Sequence, residues 1–419
     1  MKNIVWIKHA SQLATLSQSG KGPRIKKAMN ELSIIEDGSI WIENGLIKAV
    51  GTTEELEELF ESRAHEAEIT DATGHLVTPG LVDPHTHVAY GGSREKEFEM
   101  RLEGATYMEI MNAGGGIHST TKMTREATED ELVAQSLRRL DSFLNHGVTT
   151  IEGKSGYGLN LETELKQLRV MKRLQNEHPI DLVPTFMGAH AVPVEYKGRE
   201  EEYVTLVIDE MIPAVAKEQL AIFNDVFCEV GVFTPEQSRR ILEAGKRYGL
   251  IPKIHADEIE PYEGAELAAS VGAISAEHLL QASDEGIQAM AAAGTIACLL
   301  PATALYLREE AAEGRKMIDA GVPVAISTDC NPGSSPTTSM PLVMNLACIS
   351  MRLTPAEALT AATYNAACAI KMEEITGSIE IGKQGDVVLW NCSNYQELQY
   401  LFGVNHVNSV WKNGIKVVG

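Results

Sequence analysis

His85 and His87 are the residues of this 419-residue chain whose types and spacing point most directly to chemistry, since they follow an apolar run that begins at Leu81. Side chains two residues apart on an extended strand point to the same face. Both imidazoles can therefore bind one metal ion, and neutral imidazole is the commonest metal ligand in proteins. The alternative is that two of the twelve histidines lie this close by chance, one of them hydrogen-bonded to a backbone carbonyl.

Three more candidate residues lie at the ends of later apolar runs. His255 and His278 each end a run, and Asp329 comes two residues after another. Histidines and a carboxylate from separate strands suit Zn²⁺ or Fe²⁺ with one position left for water. Each residue alone also has a structural interpretation: Asp329 could cap a turn before Pro332, and His255 could be a buried, hydrogen-bonded side chain. Their joint placement favours a metal site.

Hydrolysis is the chemistry that such a site would support. A bound metal ion lowers the pKa of water towards ~7 and polarises a carbonyl, as hydrolysis of an amide or amidine at neutral pH requires. A base must then accept the proton of the attacking water. Asp329 is the first candidate, and Glu258, three residues beyond His255, is the second. His278 could hold the nucleophile or the developing oxyanion without being a ligand.

The elements that must position these residues follow a repeating pattern. Eight short apolar runs alternate with amphipathic segments, and each segment is a plausible helix. This pattern predicts an α/β fold with a (β/α)₈ TIM-like barrel, in which active sites lie at the carboxyl ends of the strands. A doubly wound open sheet is the alternative. The runs are residues 81–87, 147–152, 181–187, 223–230, 251–255, 273–278, 295–300 and 322–327.

The two ends of the chain predict one small β domain. Asn44-Gly45 and Asn413-Gly414 each lie between two short apolar runs, and Asn-Gly is a strong hairpin signal because it tolerates positive φ. Neither end has enough strands to bury a core alone, so we expect a β-sandwich built from both termini, with the barrel inserted between them. The predicted limits are residues 1–73 and 371–419 for the small domain and 74–370 for the barrel.

Composition argues against some partners and compartments. The chain has 36 Lys+Arg against 58 Asp+Glu, a formal charge of -22, whereas a nucleic-acid groove or an anionic membrane surface needs basic patches. The six cysteines are dispersed, which suits free thiols in a reducing cytoplasm. The N-terminal residues lack the pattern of a signal peptide, and there is no run of ~18 apolar residues. The expected location is the cytoplasm.

One connection is unusually long. About 60 residues separate the first and second apolar runs, and they include Gly91-Gly92 and the triplet 114–116. Long loops with glycine hinges in compact domains are usually lids or binding loops. We therefore expect this segment to contribute to a substrate site.

With these motifs in view, the chain resembles the imidazolonepropionases of the amidohydrolase superfamily. The superfamily likeness rests on Pro84–His87, His255, His278 and Asp329. The narrower likeness rests on the longer matches Gly91–Glu97, Lys154–Gly158, Thr185–Pro193, His255–Glu258 and Asp329–Pro336. The resemblance implies hydrolysis of the cyclic amide bond of 4-imidazolone-5-propanoate to N-formimidoyl-L-glutamate in histidine degradation. It also implies one zinc or iron ion per chain and a homodimer.

Site residues follow from the same resemblance, position by position. The metal ligands would be His85, His87, His255 and Asp329, and the catalytic groups Asp329, Glu258 and His278. The substrate contacts would be Arg94, Tyr107, Tyr157, His190, Glu258, Asn331, Gly333 and Ser334. Arg94 suits this role because its planar guanidinium matches a carboxylate bidentately. Tyr157 could hydrogen-bond the same carboxylate or stack on the substrate ring.

Two other functions are compatible with these residues. A deaminase or another cyclic amidase could use the same barrel and metal site, but it need not keep an arginine placed for a propionate. A binding or scaffold protein could keep the barrel without catalysis, and it would not need the metal. The dependence of activity on Arg94 and the metal content of the purified protein separate these alternatives.

Overall fold

The computed structural model describes residues 3–17, 20–105, 109 and 115–419, and its strands form two sheets. In chain order the strands are β1 (Ile4–Ala14), β2 (Ile34–Glu43), β3 (Leu46–Thr52), β4 (Glu68–Asp71), β5 (Leu76–Pro79), β6 (Leu81–Asp83), β7 (Val148–Lys154), β8 (Asp181–Ala189), β9 (Phe223–Cys228), β10 (Ile251–Ala256), β11 (Ser275–His278), β12 (Ile296–Leu299), β13 (Val324–Ile326), β14 (Val387–Trp390), β15 (Val407–Lys412) and β16 (Ile415–Val418).

Strands β6 to β13 form an eight-stranded parallel sheet in sequential order. A parallel bridge between Thr86 and Cys330 joins the two ends of this order, and Ser327 Oγ donates to the carbonyl of His85 at 2.7 Å. Most residues of these strands are buried, as expected for a parallel sheet covered by helices. These observations confirm the predicted (β/α)₈ barrel.

Helices follow the barrel strands, and two of them have starts that are clear from the residue types. Thr234 and Thr354 each form a capping box with the residue three positions later, and a proline follows each of them in the first turn. Among the described helices, none has the length and apolar character needed to cross a membrane. The α-helices are Thr53–Phe60, Glu95–Leu102, Ile117–Glu126, Glu129–Asn145, Leu161–Glu177, Glu200–Leu206, Ile212–Glu218, Pro235–Arg247, Gly264–Val271, Asp284–Ala293, Pro301–Leu307, Gly314–Ala320, Met340–Ser350, Pro355–Ala361, Tyr364–Ala369 and Tyr395–Tyr400.

The second sheet combines strands from both ends of the chain, which confirms the predicted terminal β domain. Its order is β16-β15-β14-β5-β1-β2-β3, with β4 paired to β1. The predicted hairpin at Asn44-Gly45 joins β2 to β3, and the one at Asn413-Gly414 joins β15 to β16. The exact limits of the domains, at residues 73 and 370, stay a prediction; β5, just beyond residue 73, is paired within this sheet.

A buried lysine links the two sheets. Lys412, the last residue of β15, places its Nζ 2.6 Å from Asp386 Oδ2 and 2.6 Å from Asp181 Oδ2. Asp181 is the first residue of barrel strand β8, so the ion pair crosses from the terminal sheet to the lower end of the barrel. Burial raises the pKa of Asp386 and Lys412 opposes that shift. The ammonium of Lys412 therefore stabilises the charged form of the buried Asp386 carboxylate.

Replacing Lys412 with methionine should destabilise the protein, because Asp386 would stay buried without its cation. Removing one partner of a buried ion pair costs about 3–5 kcal/mol, which chemical denaturation of Lys412→Met would measure. Lys416→Met is the matched control, since Lys416 is exposed on the neighbouring strand and should change the free energy of unfolding by about 0.5 kcal/mol or less. A loss below about 1 kcal/mol for Lys412→Met would contradict this account.

Candidate metal centre and active site

The predicted chemical residues meet at the carboxyl end of the barrel. His85 and His87 follow β6, His255 lies in β10, His278 ends β11 and Asp329 lies three residues beyond β13. Parallel strands in sequential order bring these ends to one face of the barrel, although the residues lie far apart in sequence. All five side chains are buried, with at most 3% of each residue exposed.

The ligand atoms converge within a few ångströms. His85 Nε2 lies 3.3 Å from Asp329 Oδ1, and His87 Nε2 lies 3.7 Å from the same oxygen. Ring centroids of His85 and His255 are 4.5 Å apart. Two overlapping groups have all their ligand atoms within 4.8 Å of one another: His85, His87 and His255, and His85, His278 and Asp329. His278 thus shares one of these groups with two of the four predicted ligands.

The residues at this point fit a divalent cation. His85 Nε2 and His255 Nε2 are buried and have no hydrogen-bond partner among the residues that the structure describes. The Nδ1 atoms of the same rings face carboxylates: His85 contacts Glu277, and His255 lies 3.2 Å from Asp225. If each Nδ1–H donates to its carboxylate, both Nε2 lone pairs point to the centre. A cation would satisfy these atoms, whose burial otherwise costs free energy.

Electrostatics keep these histidines neutral, as metal binding requires. Burial lowers the pKa of His85 and His87 well below the usual value, and Lys154 and His190 respectively lower it further. Burial also lowers the pKa of His255, against the opposing effect of Asp225. For Asp329, burial raises the pKa to about 7 although Thr303 and Asn331 donate hydrogen bonds to it.

Two of these residues hold strained backbone. His278 has φ of 72° and Asp329 has φ of 52°, a left-handed region that residues other than glycine rarely adopt. Such strain costs about 1–3 kcal/mol per residue and persists only where the surrounding structure enforces it. Here one such residue ends β11 and the other lies three residues beyond β13, and both side chains lie at the common point.

Five charged side chains lie deeper in the barrel, directly beneath the histidines. They are Glu152, Lys154, Asp225, Lys253 and Glu277, and none is exposed. Lys154 Nζ lies 2.7 Å from Asp225, 2.9 Å from Glu152 and 3.2 Å from Glu277. Lys253 Nζ lies 3.1 Å from Glu277 and 3.2 Å from Glu152. Sequence reasoning missed this network, and its one signal was the presence of charges within apolar strand runs.

Glu258 faces the centre beside His278. Its Oε1 lies 3.5 Å from His278 Nδ1, and burial raises the pKa of Glu258 to about 8, with further increases from Asp329 and Glu229. Glu229 holds the local backbone by accepting hydrogen bonds from the amides of Glu258 and Ile259 at 3.1 and 2.9 Å. A carboxyl group with this pKa can both accept and donate a proton near neutral pH.

The predicted substrate contacts form two groups. His190 stacks on His87 with ring centroids 4.9 Å apart, and Tyr157 lies 5.6 Å from His87. In the second group, Asn331 Oδ1 accepts from the amides of Gly333 and Ser334, both at 2.8 Å.

Arg94 adjoins the second group. A Cβ atom added to Gly333 would overlap Arg94 Nη1, so the guanidinium passes directly over this glycine, while Arg94 Nε donates to Thr120 at 2.7 Å. Arg101 Nη2 also donates to the Gly333 carbonyl at 3.1 Å, a contact that the sequence did not predict. Tyr107 lies outside the described residues.

A buried carboxylate fixes the loop that carries Tyr157. Glu164, in the first turn of the helix Leu161–Glu177, accepts from the amides of Gly156, Gly158 and Leu159 at 3.0, 2.8 and 2.8 Å. Gln167, one turn later, accepts from the Tyr157 amide at 3.1 Å. The helix thus determines where Tyr157 stands relative to His87 and His190.

Comparison with known proteins finds a matching family and similar relatives over nearly the whole chain. The model of the Amidohydrolase family matches residues 76–417. The chain is 66% identical over 418 residues to an imidazolonepropionase of Brevibacillus brevis, covering 100% of this chain and 99% of that protein. It is 64% identical over 414 residues to an imidazolonepropionase of Geobacillus sp., covering 99% and 98%.

Solved structures with low sequence identity share the fold. An adenosine deaminase from Xanthomonas campestris with bound zinc has a TM-score of 0.71 at 17% identity, covering 99% of this chain and 92% of that one. A triazine hydrolase variant has a TM-score of 0.72 at 17% identity, covering 99% and 94%. At these identities the likeness concerns the fold alone.

Glu164→Gln should loosen the loop around Tyr157, because the amide group that replaces one carboxylate oxygen cannot accept a backbone N–H. Hydrogen bonds to charged groups contribute about 1.5–3 kcal/mol each, so amide exchange of residues 156–159 should accelerate about tenfold or more. Hydrogen-exchange mass spectrometry of this segment provides the measurement. Glu162→Gln, exposed in the same helical turn, is the control and should leave the exchange unchanged; equal exchange in both variants would refute the role of Glu164.

Proposed function

The chain belongs to the amidohydrolase family and within it to the imidazolonepropionases, and from this premise we propose that it hydrolyses the cyclic amide bond of 4-imidazolone-5-propanoate to give N-formimidoyl-L-glutamate in histidine degradation. The observation that carries this proposal is the 66% identity to an imidazolonepropionase over 100% of the chain. The convergence of His85, His87, His255 and Asp329 at the barrel mouth supports it.

The family implies a divalent metal, and the proposal assigns one zinc or iron ion per chain to His85, His87, His255 and Asp329. When bound there, such a cation lowers the pKa of water and polarises a carbonyl. Zinc and iron both accept imidazole and carboxylate ligands, which is the donor set of this centre. The Nε2 atoms of His85 and His255 support the assignment, since neither has a hydrogen-bond partner in the ranges that the structure describes.

The residues around this centre can complete the reaction. The oxygen of water bonds to the carbonyl carbon of the ring, the C–N bond breaks, and the ring nitrogen leaves with a proton. Asp329 or Glu258 accepts the proton of water, and burial raises the pKa of Glu258 to about 8, which suits proton exchange near neutral pH. His278 is placed to hydrogen-bond the carbonyl oxygen as negative charge develops there.

Substrate binding is assigned to the residues on either side of the centre. His190 and Tyr157 present ring faces beside His87, which suits a flat heterocycle. Arg94 supplies the cation for the propionate, and Asn331, Gly333 and Ser334 supply polar groups next to Asp329. Tyr107 is proposed as a further contact from sequence alone.

We also propose that the protein acts as a homodimer in the cytoplasm. The resemblance to imidazolonepropionases supports the dimer, which light scattering after gel filtration would test. The cysteines support the compartment, since all six are free thiols and five of them are buried.

Removal of the metal should abolish the activity. After dialysis against a chelator, the rate of loss of substrate absorbance should fall to below about a tenth, and adding Zn²⁺ or Fe²⁺ should restore it. Protein purified without chelator should contain about one equivalent of zinc or iron per chain. Full activity in metal-free protein would contradict the mechanism, and a content below about half an equivalent would favour a scaffold protein without catalysis.

Arg94→Ala should raise KM for 4-imidazolone-5-propanoate about 10- to 100-fold, because a bidentate pair with the propionate would be lost. Steady-state kinetics provide the measurement, and Arg173→Ala is the control, since Arg173 lies on an outer helix with exposed ion pairs. An unchanged KM for Arg94→Ala would favour a deaminase or another cyclic amidase with the same fold.

Gly333→Ala tests the same contact without removing the arginine. The added Cβ would push the guanidinium of Arg94 away, and that side chain is flexible at its end. KM should therefore rise while the thermal midpoint stays near that of the wild type. A variant with unchanged KM would show that Arg94 does not need its present position to bind substrate.

A further inference from the structure

An ammonium group lies among three carboxylates beneath the histidines. Lys154 ends β7, and its Nζ lies within 3.2 Å of oxygens of Glu152, Asp225 and Glu277. None of these four residues is exposed to solvent. Asp225, His255 and Glu277 also form a group whose ligand atoms lie within 4.8 Å of one another, as a cation site would require. The ammonium of Lys154 contacts both carboxylates of this group.

The same carboxylates contact His85 and His255, whose Nε2 atoms have no hydrogen-bond partner within the described part of the chain. Glu277 Oε2 contacts both Lys154 and His85 Nδ1, and Asp225 Oδ2 lies 2.7 Å from Lys154 and 3.2 Å from His255 Nδ1. A carboxylate that accepts the Nδ1–H of an imidazole fixes the tautomer and the direction of the ring. The chain of contacts therefore runs from lysine to carboxylate to histidine.

Lys253 does not duplicate this role. Its Nζ contacts Glu152, Glu277 and the carbonyl of Pro84, but among the described residues Lys154 is the one lysine in contact with Asp225. Three buried carboxylates face two ammonium groups, so loss of either lysine leaves an excess of two negative charges. A buried carboxylate without a counter-charge is strongly unfavourable and rearranges or takes up a proton.

We propose that Lys154 is a positioning residue for the metal centre: it holds Asp225 and Glu277 where they accept from Nδ1 of His255 and His85, so that both Nε2 atoms face the cation. The inference rests on the proposed metal centre but not on the identity of the substrate. Without Lys154, the carboxylates would shift away from one or both rings, and either imidazole could then rotate or change tautomer.

The test compares two variants that each remove a buried ammonium. Lys154→Met should weaken the affinity for Zn²⁺ about tenfold or more, measured by competition with a chromophoric chelator in the absence of substrate. Lys412→Met is the matched control, because Lys412 is equally buried between two aspartates but lies at the opposite end of the barrel strands. It should change the affinity less than about twofold, although it also costs stability.

The inference is overturned if the Zn²⁺ affinity of Lys154→Met stays within about twofold of that of the wild type. It is also overturned if Lys412→Met loses as much Zn²⁺ affinity as Lys154→Met does. If the wild type itself binds no Zn²⁺ or Fe²⁺, the proposed metal centre is wrong and the inference is wrong with it. If the wild type binds Zn²⁺ and Lys154→Met binds it equally well, the metal centre stands and only the role of Lys154 is refuted.

A measurement on the wild type covers the case in which Lys154→Met does not fold. In metal-free protein with ¹⁵N-labelled histidine, the ¹⁵N shifts of His85 and His255 should report the Nδ1–H tautomer for both rings. An Nε2–H tautomer for either ring would overturn the inference. Where Lys154→Met does fold, its His255 signal should change and that of Lys412→Met should not.

Discussion

The structure depends on the burial of several ionisable side chains, namely imidazoles, carboxylates and ammonium groups, at the centre of the barrel. An imidazole binds a cation only when it is neutral, and burial lowers the pKa of His85, His87 and His255. The same burial would make an isolated carboxylate or ammonium prohibitively costly. The barrel therefore holds its charged groups in mutual contact, so that each carboxylate of the network contacts an ammonium.

Strand order is what brings these groups together. Because all eight barrel strands run parallel and pair in sequence, their carboxyl ends form one rim, and residues from β10, β11 and the segments after β6 and β13 meet there. The next inward-facing layer supplies the charged network, with Lys154 on β7, Asp225 on β9 and Glu277 on β11. The terminal sheet contributes at the opposite end, where Lys412 joins it to β8.

The sequence predicted the parts of the site that have local patterns. His85 and His87 are two residues apart after an apolar run, His255 ends another run and Asp329 follows a third, so the expected strand geometry indicated that they would meet. The strand itself is shorter than the predicted run, because β6 ends at Asp83 and both histidines lie just beyond it. The charged network has no such pattern, because the partners of Lys154 come from its own strand and two others. Spacing along one strand cannot show which charges will face each other, and the positive φ of His278 and Asp329 likewise depends on tertiary contacts.

Buried carboxylates serve two different purposes around this centre. Asp225 and Glu277 contact ammonium groups and histidines, whereas Glu164 and Glu229 accept from backbone amides of the loops that carry Tyr157 and Glu258. In both arrangements, the contacts of these carboxylates are made by atoms of the protein itself. The histidines and the loops are therefore held in place before a cation or substrate binds, so binding free energy is not consumed in ordering them. Preorganisation of this kind also explains why an acidic chain can place so many carboxyl groups near the candidate metal site, because most of these groups already have partners of their own.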